Sequence, residues 1–75
     1  MYREGELELI KLKCIKSDKD KTLYTNEIYD IHDYFYLGNE LLVENSQGVF
    51  KWYPCSLFGY KTIEELLRDV DEVRL

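Results

Sequence analysis

Few side chains in this sequence could carry chemistry. Cys14 and Cys55 are its two cysteines and His32 its single histidine. Nucleophilic catalysis needs a nucleophile, a base and a group that orients the base within hydrogen-bond reach. Cys14 falls on the inward row of an alternating segment and reads as an inert core residue. Cys55 stands beside Ser56 on a turn; it is either exposed or, on the better-supported reading, a small hydrophobe anchoring that turn. His32 reads either as a pH-sensitive contact beside Asp30 and Asp33 or, on the preferred reading, as a plain surface histidine near a strand end. Carboxylates pair at Asp30/Asp33, Glu64/Glu65 and Asp69/Asp71, and none is accompanied by a pocket signature. The C-terminal pairs read as a solvated helix face. One histidine and no CxxC give no metal spacing. The four glycines are scattered and form no phosphate loop. The expectation is a chain that is not an enzyme and uses neither cofactor nor metal.

The elements that position these residues must fit in 75 residues, one domain spanning 1–75. A chain this short buries only about 60% of the surface its unfolded form exposes, so its core is small. Oligomerisation is a natural supplement, and a homo-oligomer stays open. The net charge of −5 argues against general nucleic-acid binding, which depends on Lys and Arg. Lys11, Lys13, Lys16, Lys19 and Lys21 cluster, but Asp18 and Asp20 interrupt them, as in a solvated strand edge and loop. The N-terminal residues lack a signal-peptide core, and no apolar run approaches the ~18 residues of a membrane span; a cytoplasmic protein without membrane contact is expected.

Residues 7–15 alternate as a first strand, with Cys14 inward. Residues 17–22 are polar and charged and read as an exposed loop. Asn26, tolerant of a left-handed backbone, marks a turn into a second strand over 28–36, with Tyr29 and Ile31 on one face and a bulge near Asp33 and Tyr34. Gly38-Asn39 signals a hairpin into a third strand over 40–44, and Asn45 to Gly48 a second turn into a fourth strand over 49–53. There, Phe50 and Trp52 share a face and are expected in the core. Pro54 is expected to stop the strand, and Pro54 through Phe58 read as one 3₁₀ turn with Leu57 or Phe58 inward. Thr62 and Glu65 form a capping box, and Ile63, Leu66, Leu67 and Val70 make one helical face, predicting a helix over 63–70 that extends to about 72. This succession predicts a mainly β fold: a small barrel of four to five antiparallel strands over about 7–58, with a C-terminal α-helix.

Lys13-Cys14-Ile15-Lys16, the run from Leu23 through Asn26 to Ile31, Leu42-Val43-Glu44-Asn45 with Gly48, and Trp52-Tyr53-Pro54 leading to Leu57-Phe58 together resemble the small SH3-like proteins of phages and prophages of Gram-positive bacteria. The resemblance covers residues 10–58; Asn26 stands where that pattern usually has Gly, and the capped helix lies beyond the usual ending. It implies an SH3-like barrel and a phage accessory protein. Such proteins bind and disable a host factor, including factors of host defence, or capture a signalling nucleotide of host immunity.

Two docking surfaces are expected. Tyr24, Tyr34, Tyr36, Trp52 and Tyr53 are candidates for an aromatic groove that takes a proline-rich peptide, a base or another flat ligand. Glu64, Glu65 and Asp69 are candidates for an acidic contact with a basic protein surface. The leading expectation is a non-catalytic inhibitor of a host protein in the host cytoplasm. The alternatives are an oligomeric binder that sequesters a nucleotide messenger and, less favoured by charge, a single-stranded nucleic-acid binder.

Overall fold

The computed structural model describes residues 10–74. Four antiparallel strands lie side by side in chain order: β1 Ile10–Lys13, β2 Ile28–Phe35, β3 Glu40–Glu44 and β4 Phe50–Pro54. A 3₁₀ turn, Cys55–Phe58, and one helix, α1 Ile63–Arg74, follow. The part of the first expected strand before Ile10 lies outside the described residues. The connections are tight because the residues at their corners accept positive φ: Asn26 at 74°, Asn39 at 53° and Gly48 at 79°.

The expected barrel does not close. Among the described residues no ladder joins β1 to β4. The chain that would have to supply a fifth, bridging strand is helical instead, since its apolar residues recur at helical spacing behind a cap. One main-chain bond spans the gap: the Ile15 amide donates to the Leu57 carbonyl at 2.8 Å.

The inner face of the sheet carries Tyr29, Ile31, Leu41, Val43 and Tyr53, all buried in one cluster with Cys14, Leu23, Cys55, Phe58, Ile63 and Leu66. Leu67 and Val70 pack against the cluster from α1. This corrects the expectation for β4. Leu41 pairs with Tyr53 and Leu42 with Trp52, so the buried Leu41 row brings Tyr53 inward and turns Phe50 and Trp52 to the outer face. Alternation alone favours burial of the Phe50 and Trp52 row over one that holds Lys51, and the pairing of Tyr53 with buried Leu41 overrides it.

The loop over residues 17–22 is also more than a solvated connection, because Thr22 is buried. Asp18 Oδ1 accepts the amides of Thr22 and Leu23, each at 2.8 Å, and Oδ2 accepts the Thr22 hydroxyl at 2.6 Å. Thr22 Oγ1 lies 2.7 Å from Tyr53 Oη, which accepts from Asn45 Nδ2 at 3.0 Å. An amide nitrogen only donates and a carboxylate only accepts, so the chain has one direction: Asn45 to Tyr53 to Thr22 to Asp18. Burial pushes the Asp18 carboxyl up, but the bonds it accepts outweigh this and hold it below the usual range. Asn45 Oδ1 also accepts the amides of Gln47 and Val49, which shapes the β3–β4 turn.

The helix is fastened at three points. Thr62 Oγ1 accepts the Glu65 amide at 3.2 Å, and Glu65 Oε1 accepts the Lys61 amide at 3.0 Å, one residue before the cap. The Ile63 amide donates to Asn39 Oδ1 at 3.0 Å, tying the helix start to the β2–β3 turn. Further along, the Tyr60 hydroxyl donates to Asp69 Oδ2 at 2.6 Å. The expected end of the helix near residue 72 falls short of Arg74.

Two predictions follow from these contacts. Tyr53→Phe removes the middle of the buried chain and leaves Asn45 Nδ2 without its acceptor. It should lower unfolding stability by about 1–3 kcal/mol, read from the urea midpoint at constant slope. Tyr60 is held protonated up to about 12 by its bond to Asp69, by burial and by the Asp69 charge. A tyrosine raised in the folded state contributes stability below its unfolded pKa of about 10 and loses it as pH rises through the folded value. The stability difference between the native chain and Tyr60→Phe should therefore shrink between about pH 10 and pH 12. A difference that stays constant over that window in denaturant titrations would refute the contact.

Candidate functional site

Among the described residues one helix covers the inner face of the sheet and none covers the outer face. Strand alternation sets its rows: Lys11 and Lys13 on β1; Ile28, Asp30, His32, Asp33 and Phe35 on β2; Glu40, Leu42 and Glu44 on β3; Phe50 and Trp52 on β4. Phe35 and Phe50 are each 50% exposed and Trp52 45%. The Phe35 and Trp52 rings meet edge to face at 6.4 Å between centroids. Phe50 lies against the His32 ring at 4.5 Å. Leu42, half-buried, pairs with Trp52 in register. Together they make a contiguous aromatic surface across three strands.

Local structure presents it. Ile31 pairs with Val43 and Asp33 with Leu42, which leaves His32 as the extra residue of a β-bulge. The bulge shifts the alternation so that Phe35, beyond it, is on the outer face near Trp52. Gly38 leaves room for that ring: a Cβ there would stand 2.7 Å from Phe35 Cδ2. Around the aromatics sit Asp30, Asp33, Glu40 and Glu44. Lys11, the cation nearest Asp30, is held by its Oδ1 at 2.6 Å, and that bond lowers the Asp30 pKa.

The groove expected from Tyr24, Tyr34, Tyr36, Trp52 and Tyr53 is not assembled as a unit. Trp52 is on the outer face. Tyr53 is in the core with its hydroxyl committed to Thr22 and Asn45. Tyr34 shares the row of Leu41 and Tyr53, at the open end of the sheet. Tyr36 is in the β2–β3 turn and Tyr24 in the loop before β2, both exposed. Phe35 and Phe50 take the places beside Trp52. Alternation alone puts Phe35 in the row of Tyr29 and Ile31, and only the bulge moves it to the outer face.

The acidic helix residues have structural work. Asp69 accepts from Tyr60 and Glu65 from the Lys61 amide. Glu64 stands 3.8 Å from Arg68 one turn on. Neither cysteine is a nucleophile in waiting. Both thiols are free and buried, burial pushes both up, and they donate to the carbonyls of Lys16 and Tyr60. The other cluster of chemical interest is one the sequence spacing did not reveal: Asp30, His32 and Glu44 bring a ligand atom each to within 4.8 Å of one another. Two come from β2 and one from β3, so only the strand pairing assembles them.

No helix among the described residues is long and apolar enough to cross a membrane. Comparison of the chain with protein-family models, with curated proteins and with solved structures finds no match.

Proposed function

We propose that this chain is a non-catalytic protein-binding module, and that its docking surface is the outer face of the sheet centred on Phe35, Phe50 and Trp52. The observation that carries this reading is three large aromatic rings, each about half exposed and in contact with other side chains of the same face. Contiguous apolar surface is costly to leave in water, and clustered aromatics are the common anchors of protein interfaces. The acidic rim and the net charge of −5 favour a partner with a basic surface.

The resemblance to small SH3-like proteins of phages and prophages supplies the biological setting of the proposal: an accessory protein that acts in the host cytoplasm by occupying a host protein. Four antiparallel strands followed by a 3₁₀ turn are in keeping with that resemblance, and the helix lies beyond the part of the chain it covers. The messenger-sequestering alternative needs phosphate-binding cations beside the stacking surface. On this face Lys11 is already bound to Asp30 and the rim is acidic, so the protein-binding reading has the stronger support. The same charges weigh against a single-stranded nucleic-acid ligand.

The test is native mass spectrometry of the chain alone and after incubation with host lysate, for the native sequence and for Trp52→Ala. A protein-sized mass shift should appear with the native chain and be lost in Trp52→Ala. Truncating a central aromatic anchor costs about 2 kcal/mol of binding or more, near thirtyfold in affinity. The same substitution, at a half-exposed site, should change folding stability by about 1 kcal/mol or less. A complex that forms equally with Trp52→Ala would place the interface elsewhere, and a shift of one chain mass would identify the face as a homo-oligomer contact.

A further inference from the structure

His32 Nε2 is buried and has no hydrogen-bond partner among the described residues. Its nearest opposite charge, Glu44 Oε1, is 3.7 Å away, too far for a hydrogen bond. Native structures seldom leave a buried polar atom unpaired, so this nitrogen calls for a ligand. The surroundings supply the rest of a coordination set. Asp30 lies two residues before His32 on the outer face of β2, and Glu44 lies on the same face of β3, next to Val43, the partner of Ile31. His32 is the extra residue of the bulge, between the pairs Ile31–Val43 and Asp33–Leu42. Phe50 packs against the ring from β4 and screens it from water.

We propose that Asp30, His32 and Glu44 form a binding site for a divalent ion of the zinc type, open to solvent on its fourth side. Imidazole nitrogen with two carboxylates is a donor set that zinc accepts. Ligand atoms around a tetrahedral zinc stand about 3.4 Å apart, given bonds of about 2.0–2.2 Å. The 3.7 Å gap between His32 Nε2 and Glu44 Oε1 is near that spacing, and it suits two atoms that share an ion better than two that share a proton. The widest separation in the set, within 4.8 Å, closes by a rotation of the Asp30 or Glu44 side chain, both partly exposed. Lys11 holds Asp30 Oδ1, which leaves the second oxygen for the ion. Two carboxylates and a neutral imidazole balance one divalent ion, the Lys11 ammonium on Asp30 leaves one net positive charge beside it, and the partial exposure of the carboxylates provides the entry path. The site does not depend on the docking reading, since it needs no partner to be tested.

The experiment is a ZnCl₂ titration of the untagged chain at pH 7.5, followed by the ring resonances of His32 in NMR. The single histidine makes the signal unambiguous. The native chain should show one saturable event with a stoichiometry of one. Glu44→Gln and Asp30→Asn keep size and shape while removing one charged ligand each, and each should weaken binding by roughly tenfold or more. Circular dichroism of the variants separates loss of ligand from loss of fold. His32 resonances that do not move with zinc, or equal affinity in both folded carboxamide variants, would overturn the site.

Discussion

The inner face of a four-stranded sheet has to be closed, and here one short helix does it. Ile63 and Leu66 complete the cluster built on Leu41, Val43, Tyr53 and Phe58. The cost of ordering a chain this small leaves little margin, and among the described residues no second element covers the other side of the sheet. The outer face keeps its aromatics in water, and the edges β1 and β4 stay apart, joined at the main chain by Ile15 and Leu57. A partner on the outer face would do for this sheet what a second helix does in larger domains.

Polar contacts place the helix where the apolar ones can act. Asn39 is central to this, because its positive φ makes the β2–β3 turn while its carbonyl accepts the Cys55 amide and its side chain the Ile63 amide. One residue thus connects a hairpin, the 3₁₀ turn and the helix start. The directed chain from Asn45 to Asp18 does the same on the other side, binding the β3–β4 turn to the loop after β1. Such a buried chain stabilises only when every member is satisfied, and it penalises alternative packings that break it. The two cysteines contribute as small buried hydrophobes whose thiols find carbonyls, which removes them from chemistry.

The bulge at His32 links fold to site. It offsets the pleat of β2, bringing Phe35 beside Trp52, and its extra residue, His32, stands 3.7 Å from Glu44. Aromatic surface and ionisable cluster therefore share one face. On α1, Asp69 and Glu65 hold the bonds that dock and cap the helix.

Much of the local structure could be read from residue order. Asn26, Asn39 and Gly48 mark turns because few residues tolerate positive φ, and they do so in the structure. The β3 bounds, the 3₁₀ turn and the start of α1 follow from alternation, from Pro54 and from the Thr62 cap, all local effects. The bulge was visible near Asp33, though not its consequence. What residue order could not decide was which row of β4 faces inward, where the choice belongs to β3 through Leu41. It could not show that Thr22 and Asp18 belong to a buried network, since Tyr53, which joins Thr22 to it, lies 31 residues away. Nor could it close or open the sheet, which depends on whether the chain after Phe58 packs as a helix against the inner face. The sequence by itself determined the turns, the helix cap and the bounds of β3. Tertiary structure alone decided the exposed aromatic face and the meeting of Asp30, His32 and Glu44, because both arise from cross-strand register, and register is a property of strands together.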